Sequence, residues 1–186
     1  MNITVGVSNR HVHLTEEDYK LLFGDEIMTI RNELNQYDQY ATNQLVNLIT
    51  DKNTIKNVRV LGPFRNYTQI EISKTDAYLL GINTPVRDSG DIKGSAKFTI
   101  EGPKGTITKE EGCIIANRHI HINTNEIDKY SLADGQIVSV KVNTEKGCIM
   151  NDVHVKSGNY YFELHIDTDD ANANLLKNGD IVEIIK

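Results

Sequence analysis

Apolar residues recur along this chain in short runs, many alternating with polar ones, and rarely at helical spacing. The runs are Ile3 to Val7, Val58 to Leu61, Thr68 to Ile72, Lys97 to Ile100, Gly105 to Thr108, Cys113 to Ala116, Ile137 to Val142, Val153 to Val155, Tyr160 to Ile166 and Ile181 to Ile185. A period of two sets one face against a core, so each predicts a strand. Gly102-Pro103-Lys104-Gly105 and Glu145-Lys146-Gly147 carry turn chemistry and predict hairpins between their neighbours. The expected class is mainly antiparallel β.

Few helices are expected, and they have marked ends. Thr15 precedes the acidic turn Glu16-Glu17-Asp18, and Gly24 supplies a stop after Leu21, Leu22 and Phe23. Thr75 to Gly81, Asn123 to Gly135 and Thr168 to Gly179 follow the same grammar and predict three further helices. The last two lead into the similar segments Asp134-Gly135-Gln136-Ile137-Val138 and Asn178-Gly179-Asp180-Ile181-Val182, a helix, turn and strand unit used twice. The polar stretch Asn32 to Lys56 predicts an ordered excursion with one strand near Leu45 to Ile49.

A longer repeat carries the chemistry. Val7-Ser8-Asn9-Arg10-His11-Val12-His13-Leu14-Thr15 matches Ile115-Ala116-Asn117-Arg118-His119-Ile120-His121-Ile122-Asn123. Two small β-barrels related by duplication, with short capping α-helices, are the simplest fold that accounts for it. In an extended segment His11 and His13 project to one face while Val12 points to the other, and His119 and His121 do the same around Ile120. Paired neutral imidazoles suit zinc. An isolated His-x-His is more often a surface strand, but four of the six histidines fall in this repeat, each pair preceded by Asn-Arg.

His165 ends a strand before a helix cap, the same structural address, which makes it the best fifth ligand. His154, between Val153 and Val155, lacks that address and reads as a barrel histidine. Glu71 stands on the polar face of Gln69-Ile70-Glu71-Ile72-Ser73. Arg65 follows Leu61-Gly62-Pro63-Phe64 and Arg87 follows Thr84-Pro85-Val86, rigid frames for a guanidinium that recognises phosphate.

Composition narrows the partners. With a formal charge of −6 over 186 residues there is no general basic face, so neither nucleic acid nor an anionic membrane surface is an expected partner. No signal-peptide pattern or membrane-span run is seen, and a soluble, cytoplasmic protein is expected. The two cysteines, Cys113 and Cys148, form no metal-knuckle or disulfide pattern and are expected to be buried strand residues.

Taken together, Val5-Ser-Asn-Arg-His-Val-His-Leu, Arg59-Val-Leu-Gly-Pro, Gln69-Ile-Glu-Ile-Ser-Lys-Thr-Asp-Ala, Pro85-Val-Arg-Asp-Ser-Gly-Asp, Asn117-Arg-His-Ile-His and His165-Ile-Asp-Thr-Asp-Asp-Ala-Asn-Ala closely resemble the PduL-type phosphate acyltransferases. The resemblance implies two tightly packed barrels, one from residues 1–8 and 117–186 and one from residues 9–116, with the active site at their interface. It implies two zinc ions, one on His11, His13 and Glu71 and one on His119, His121 and His165, with Arg65 as the catalytic phosphate-binding residue. Coenzyme A contacts would fall at Ser8, Arg59, Leu61, His165 and Asn172, with Tyr78 as the adenine-stacking aromatic.

The implied reaction is acyl-CoA plus phosphate giving acyl phosphate plus coenzyme A, by direct attack without a protein nucleophile. The acyl group would be propanoyl or acetyl. A homo-oligomer is left open. Between Thr29 and Leu34, where relatives place lysines, this chain offers only Arg31. Ile3 already begins a strand, so no microcompartment-targeting extension is expected. Two rivals remain. His11-x-His13-x3-Glu17-x6-Gly24 meets part of a cupin motif, though Glu17 lies in a helical cap. A non-catalytic barrel stapled by zinc would need closed four-ligand sites.

Overall fold

The computed structural model describes residues 1–185. In chain order its elements are β1 (Asn2–Ser8), β2 (His11–His13), α1 (Glu16–Phe23), β3 (Ile30–Glu33), β4 (Tyr40–Ile49), β5 (Thr54–Gly62), β6 (Gln69–Glu71), α2 (Lys74–Leu80), β7 (Val86–Arg87), β8 (Ala96–Glu101), β9 (Thr106–Ala116), β10 (His119–Asn123), β11 (Ile137–Lys141), β12 (Ile149–Gly158), β13 (Glu163–Asp167), α3 (Thr168–Ala173) and β14 (Ile181–Ile185). The expected class holds: mainly β, two closed six-strand barrels and three short helices. No helix among the described residues is long and apolar enough to cross a membrane.

The chain divides into two compact units. One comprises Met1–Asn9, Asn35–Tyr37 and the segment that begins at Asn117; the other comprises Arg10–Leu34 and Asp38–Ala116. In the first, the ring runs β1-β13-β10-β12-β11-β14 and closes through the antiparallel pairing of β14 with β1. In the second, β4-β5-β2-β6-β9 closes through β8, which pairs with both β4 and β9; β3 and β7 extend the edges. Closure removes the unpaired sheet edges that would otherwise invite association.

Each ring repeats the other strand for strand. The His-x-His strands β2 and β10 are each flanked by one parallel neighbour, β5 or β12, and one antiparallel neighbour, β6 or β13. Even the irregularities recur. Asn57 (φ 60°) in β5 and Asp152 (φ 55°) in β12 each sit where the pairing register slips, as expected of the short polar residues that tolerate a left-handed bulge. The barrel interiors are aliphatic: Val12, Val58, Val60, Ile70 and Ile100 in one, Val5, Ile120, Val153, Val155 and Leu164 in the other.

Four expectations are corrected. The helix expected over Asn123 to Gly135 is a series of turns around one 3-10 turn, Asp128–Tyr130, because Asn123 Oδ1 accepts from the Asn125 N–H and starts a local turn in place of a helix. The helix expected over Thr168 to Gly179 stops at Ala173; Leu175 takes φ 55° and Leu176 N–H returns to Ala171 O, which buries Leu176. Cys148 is exposed, because it precedes β12 at the hairpin end beyond the barrel core, whereas Cys113 is buried as expected. The excursion from Asn32 onward holds more strand than predicted, with β3 and the ten-residue β4 forming a hairpin.

If aliphatic filling stabilises the barrels, Leu164→Ala, at a fully buried position, should cost about 2–5 kcal/mol in urea unfolding. Ile137→Ala, on the 59% exposed side of β11, should change stability by less than about 0.5 kcal/mol. Equal losses from both would contradict this core assignment.

Candidate metal centres

Alternation in β2 and β10 sends Val12 and Ile120 into the barrels and the imidazoles to the outer faces. His11, His13 and His121 are nevertheless buried. In both units the third candidate ligand comes from the antiparallel neighbour directly opposite the first histidine: Glu71 opposite His11, and His165 opposite His119. Candidate donor atoms of His11, His13 and Glu71 lie within 4.8 Å of one another, and those of His119, His121 and His165 do likewise.

Within the first trio, His11 Nε2 is 3.5 Å from Glu71 Oε2, and the His11 and His13 rings stand perpendicular at 4.9 Å. In the second, the His119 and His165 rings stack at 5.2 Å and the ring of His121 lies 4.5 Å from that of His165. Asn117 O lies 2.7 Å from His119 Nδ1, a partner that fixes the ring and leaves Nε2 for a metal. Tyr160 stacks on the far side of His121 at 4.0 Å.

Three ring nitrogens, His13 Nδ1, His121 Nδ1 and His165 Nε2, are buried without a hydrogen bond. Burying such groups unpaired is costly. All three belong to the two trios, and a divalent cation would satisfy them. Burial, followed by the charge of neighbouring His11 and then Arg65, holds the His13 pKa well below its ordinary value. Burial, followed by His119, His165 and Lys156, does the same for His121. Both rings are therefore neutral at pH 7, the form that binds metal. The residues present fit two zinc ions.

The Arg of each Asn-Arg-His-x-His has a visible task. Arg10 makes a paired contact with Asp76 at 2.9 Å through both Nε and Nη2, and Arg118 grips Asp170 through Nε at 2.7 Å and Nη2 at 2.9 Å. Asp76 and Asp170 are the third residues of α2 and α3, the helices that follow the third-ligand strands. Each Arg thus ties its own strand to the segment that carries the third ligand.

Arg65 lies beside the first trio. Its N–H donates to Leu14 O at 2.9 Å and its Nη1 donates to Ser89 Oγ at 3.1 Å. Fully buried Gln69 ties this group together: its Nε2 donates to Glu71 Oε1 at 2.7 Å and Ser89 Oγ at 2.9 Å, while its Oε1 accepts from the Gly90 N–H at 2.8 Å. Arg87 instead faces Asp91 at 3.6 Å.

The other expected residues fall as follows. Arg59 and Leu61 stand next to His11 and His13 on β5, with Arg59 Nη1 donating to Thr42 O at 2.9 Å. Ser8 pairs with Asp167, two residues beyond His165. Tyr78 on α2 is 80% exposed and has Lys52 Nζ 5.5 Å from its ring centre. Asn172 is exposed on α3. His154 stands in register with His119 on β12 and belongs to neither trio.

These positions can be compared with known proteins. A family model described as phosphate propanoyltransferase matches residues 4–177. The chain belongs to this family. It is 47% identical to a phosphate propanoyltransferase of Thermotoga maritima over 99% of its own length and 89% of the relative's. It is 43% identical to one of Lachnoclostridium phytofermentans, covering 98% and 87%, and 42% identical to one of Shewanella putrefaciens, covering 97% and 86%.

Sequence reasoning missed Gln69, Ser89, Glu163 and the Arg–Asp pairs. One signal was available: Gln69-Ile-Glu71-Ile-Ser-Lys-Thr-Asp76-Ala aligns with Glu163-Leu-His165-Ile-Asp-Thr-Asp-Asp170-Ala as a second internal repeat.

Because His13 and His121 are held neutral when folded, the unfolded chain binds more protons below about pH 6.5, its ordinary imidazole pKa. Their contribution to stability is complete above that pH and is lost as pH falls below it. The melting temperature of chelator-treated protein should therefore fall from about pH 7 to about pH 5, an interval that straddles this value. A flat or rising profile would contradict the burial of neutral imidazoles.

Proposed function

We propose that this chain is a zinc-dependent phosphate acyltransferase, reversibly converting a short-chain acyl-CoA, propanoyl or acetyl, plus phosphate into acyl phosphate plus coenzyme A. Family membership supports the acyl transfer to phosphate. The observation that carries the metal dependence is the pair of trios at equivalent register positions, with orphaned ring nitrogens in both.

In this reading a phosphate oxygen attacks the thioester carbonyl, the C–S bond breaks, and the acyl group leaves on phosphate while the thiolate of coenzyme A is released. When bound, the zinc ions would supply Lewis acidity, stabilising the thiolate and offsetting negative charge on the reactants. Arg65 holds phosphate: its half-buried guanidinium is anchored by Ser89 next to His13, so orientation is set before phosphate arrives. Gln69 links that anchor to Glu71 and so keeps phosphate and metal-binding groups in one frame.

Arg59 and Leu61, in register with the histidines of β2, and Ser8, His165 and Asn172 are assigned to coenzyme A. Tyr78 offers an exposed ring face for adenine. Three protein ligands at His11, His13 and Glu71 leave a zinc ion able to accept a substrate donor, which favours an enzyme over a stapled barrel. A cytoplasmic location is part of this proposal.

Free thiol should appear when propanoyl-CoA or acetyl-CoA is mixed with metal-replete protein and phosphate, and should stop with a chelator. No phosphate-dependent release would sink the reading. Arg65→Ala should lower kcat/KM for phosphate by about 100-fold or more, the scale of losing a charged contact worth about 3 kcal/mol. An unchanged phosphate KM and kcat would remove Arg65 from the site.

A further inference from the structure

We infer that Arg10 and Arg118 are positioning residues for metal binding, each setting the zinc affinity of the trio in its own unit and not of the other. They act through Asp76 and Asp170, which hold Glu71 and His165 against the histidines opposite. The inference rests on the metal part of the function proposed above and leaves both sets of three ligands as they stand.

The strands that carry the ligands meet over short ladders. β2 and β6 pair over three residues, from His11 with Glu71 to His13 with Gln69, and β10 and β13 pair over three, from His119 with His165 to His121 with Glu163. Ile70 and Leu164, buried at the centre of each ladder, oppose a slip that would reverse the faces. They do not fix the ligand atoms to the roughly 0.2 Å that a metal site requires. A second tether beyond the ladder supplies that precision.

The two Arg–Asp pairs are built as such tethers. Arg10 and Arg118 immediately precede the first histidine of each trio, and Asp76 and Asp170 each lie five residues beyond the third candidate ligand. The intervening chain is stiff. Ile72 and Ile166 are buried directly after the ligand, and Ser73 and Asp167 then cap the helix, their side chains accepting from Asp76 N–H at 3.2 Å and Asp170 N–H at 2.9 Å. Each guanidinium grips its carboxylate through two contacts of 2.7–2.9 Å, which fix direction as well as distance. His11, Arg10, Asp76, Ser73 and Glu71 thus close a loop in one unit, as His119, Arg118, Asp170, Asp167 and His165 do in the other.

The two units have diverged around this loop and kept it. α2 and α3 differ in length and the third ligands differ in chemistry, yet the arginine, the aspartate and the step of five are the same. What both units share is the demand that three donor atoms meet within 4.8 Å. A pair that served only to anchor a helix would change the stability of the metal-free chain, and would change both zinc affinities together or neither.

The test measures zinc affinity of the whole chain by competition with a chromogenic chelator, in proteins that keep one trio. His119→Ala/His121→Ala keeps the first and His11→Ala/His13→Ala keeps the second. Arg10→Lys should weaken zinc at least about 10-fold in the former and leave the latter unchanged, and Arg118→Lys should do the reverse. Lysine keeps the charge beside the aspartate and gives up only the two-pronged grip. In the otherwise wild-type chain each substitution should weaken one of two ions and the double substitution both, a comparison that stands if a histidine deletion does not fold.

Unchanged affinity of a trio when its own arginine is replaced would overturn the inference. So would a loss at both trios from either substitution, which would mark the pairs as supports of the fold alone; melting of the metal-free variants reports that effect separately. Wild-type chain that holds no zinc overturns the tethers together with the metal reading, whereas two ions bound with wild-type affinity in both variants overturn only the tethers.

Discussion

The structure depends on a conflict between two demands made on the same short strands. A closed barrel needs β2 and β10 buried on their inner faces, which Val12 and Ile120 satisfy. Their outer faces carry His13 and His121, which are also buried and which burial keeps uncharged. Unpaired ring nitrogens in such surroundings are destabilising by themselves. A shared cation would resolve the conflict, and this is what makes the structural repeat a pair of candidate metal centres.

Duplication gives both units the same solution in different chemistry. The third candidate ligand is in both units opposite the first histidine, and the strand that bears it continues into a helix held by Arg10 or Arg118 through an aspartate. The units diverge next to that position. Gln69 links Glu71 to Ser89 and Arg65, whereas Glu163 turns a carboxylate toward His165. One unit thus has a guanidinium beside its trio, suited to an anion, and the other has an additional acceptor.

Much of this was legible in the chain alone. Period-two runs marked most strands, and the repeated Asn-Arg-His-x-His pointed to two equivalent barrels. His165 was found because it shared a structural address with the other histidines. Glu71, an ordinary strand carboxylate by pattern, gained weight only through family resemblance; its place opposite His11 is a property of cross-strand register, which a linear pattern does not encode. Gln69, Ser89 and Glu163 were missed for the same reason. The overlong helices at Asn123 and Thr168 failed because local side-chain hydrogen bonds and the burial of Leu176 outcompeted weak helical propensity.

The central claim is that two separate trios each hold one ion, and counting ions per chain tests it most directly. Elemental analysis of the protein, of His11→Ala/His13→Ala and of His119→Ala/His121→Ala should give two, one and one zinc ions. Zinc content that is absent from the wild type, or unmoved by either double substitution, would contradict the account.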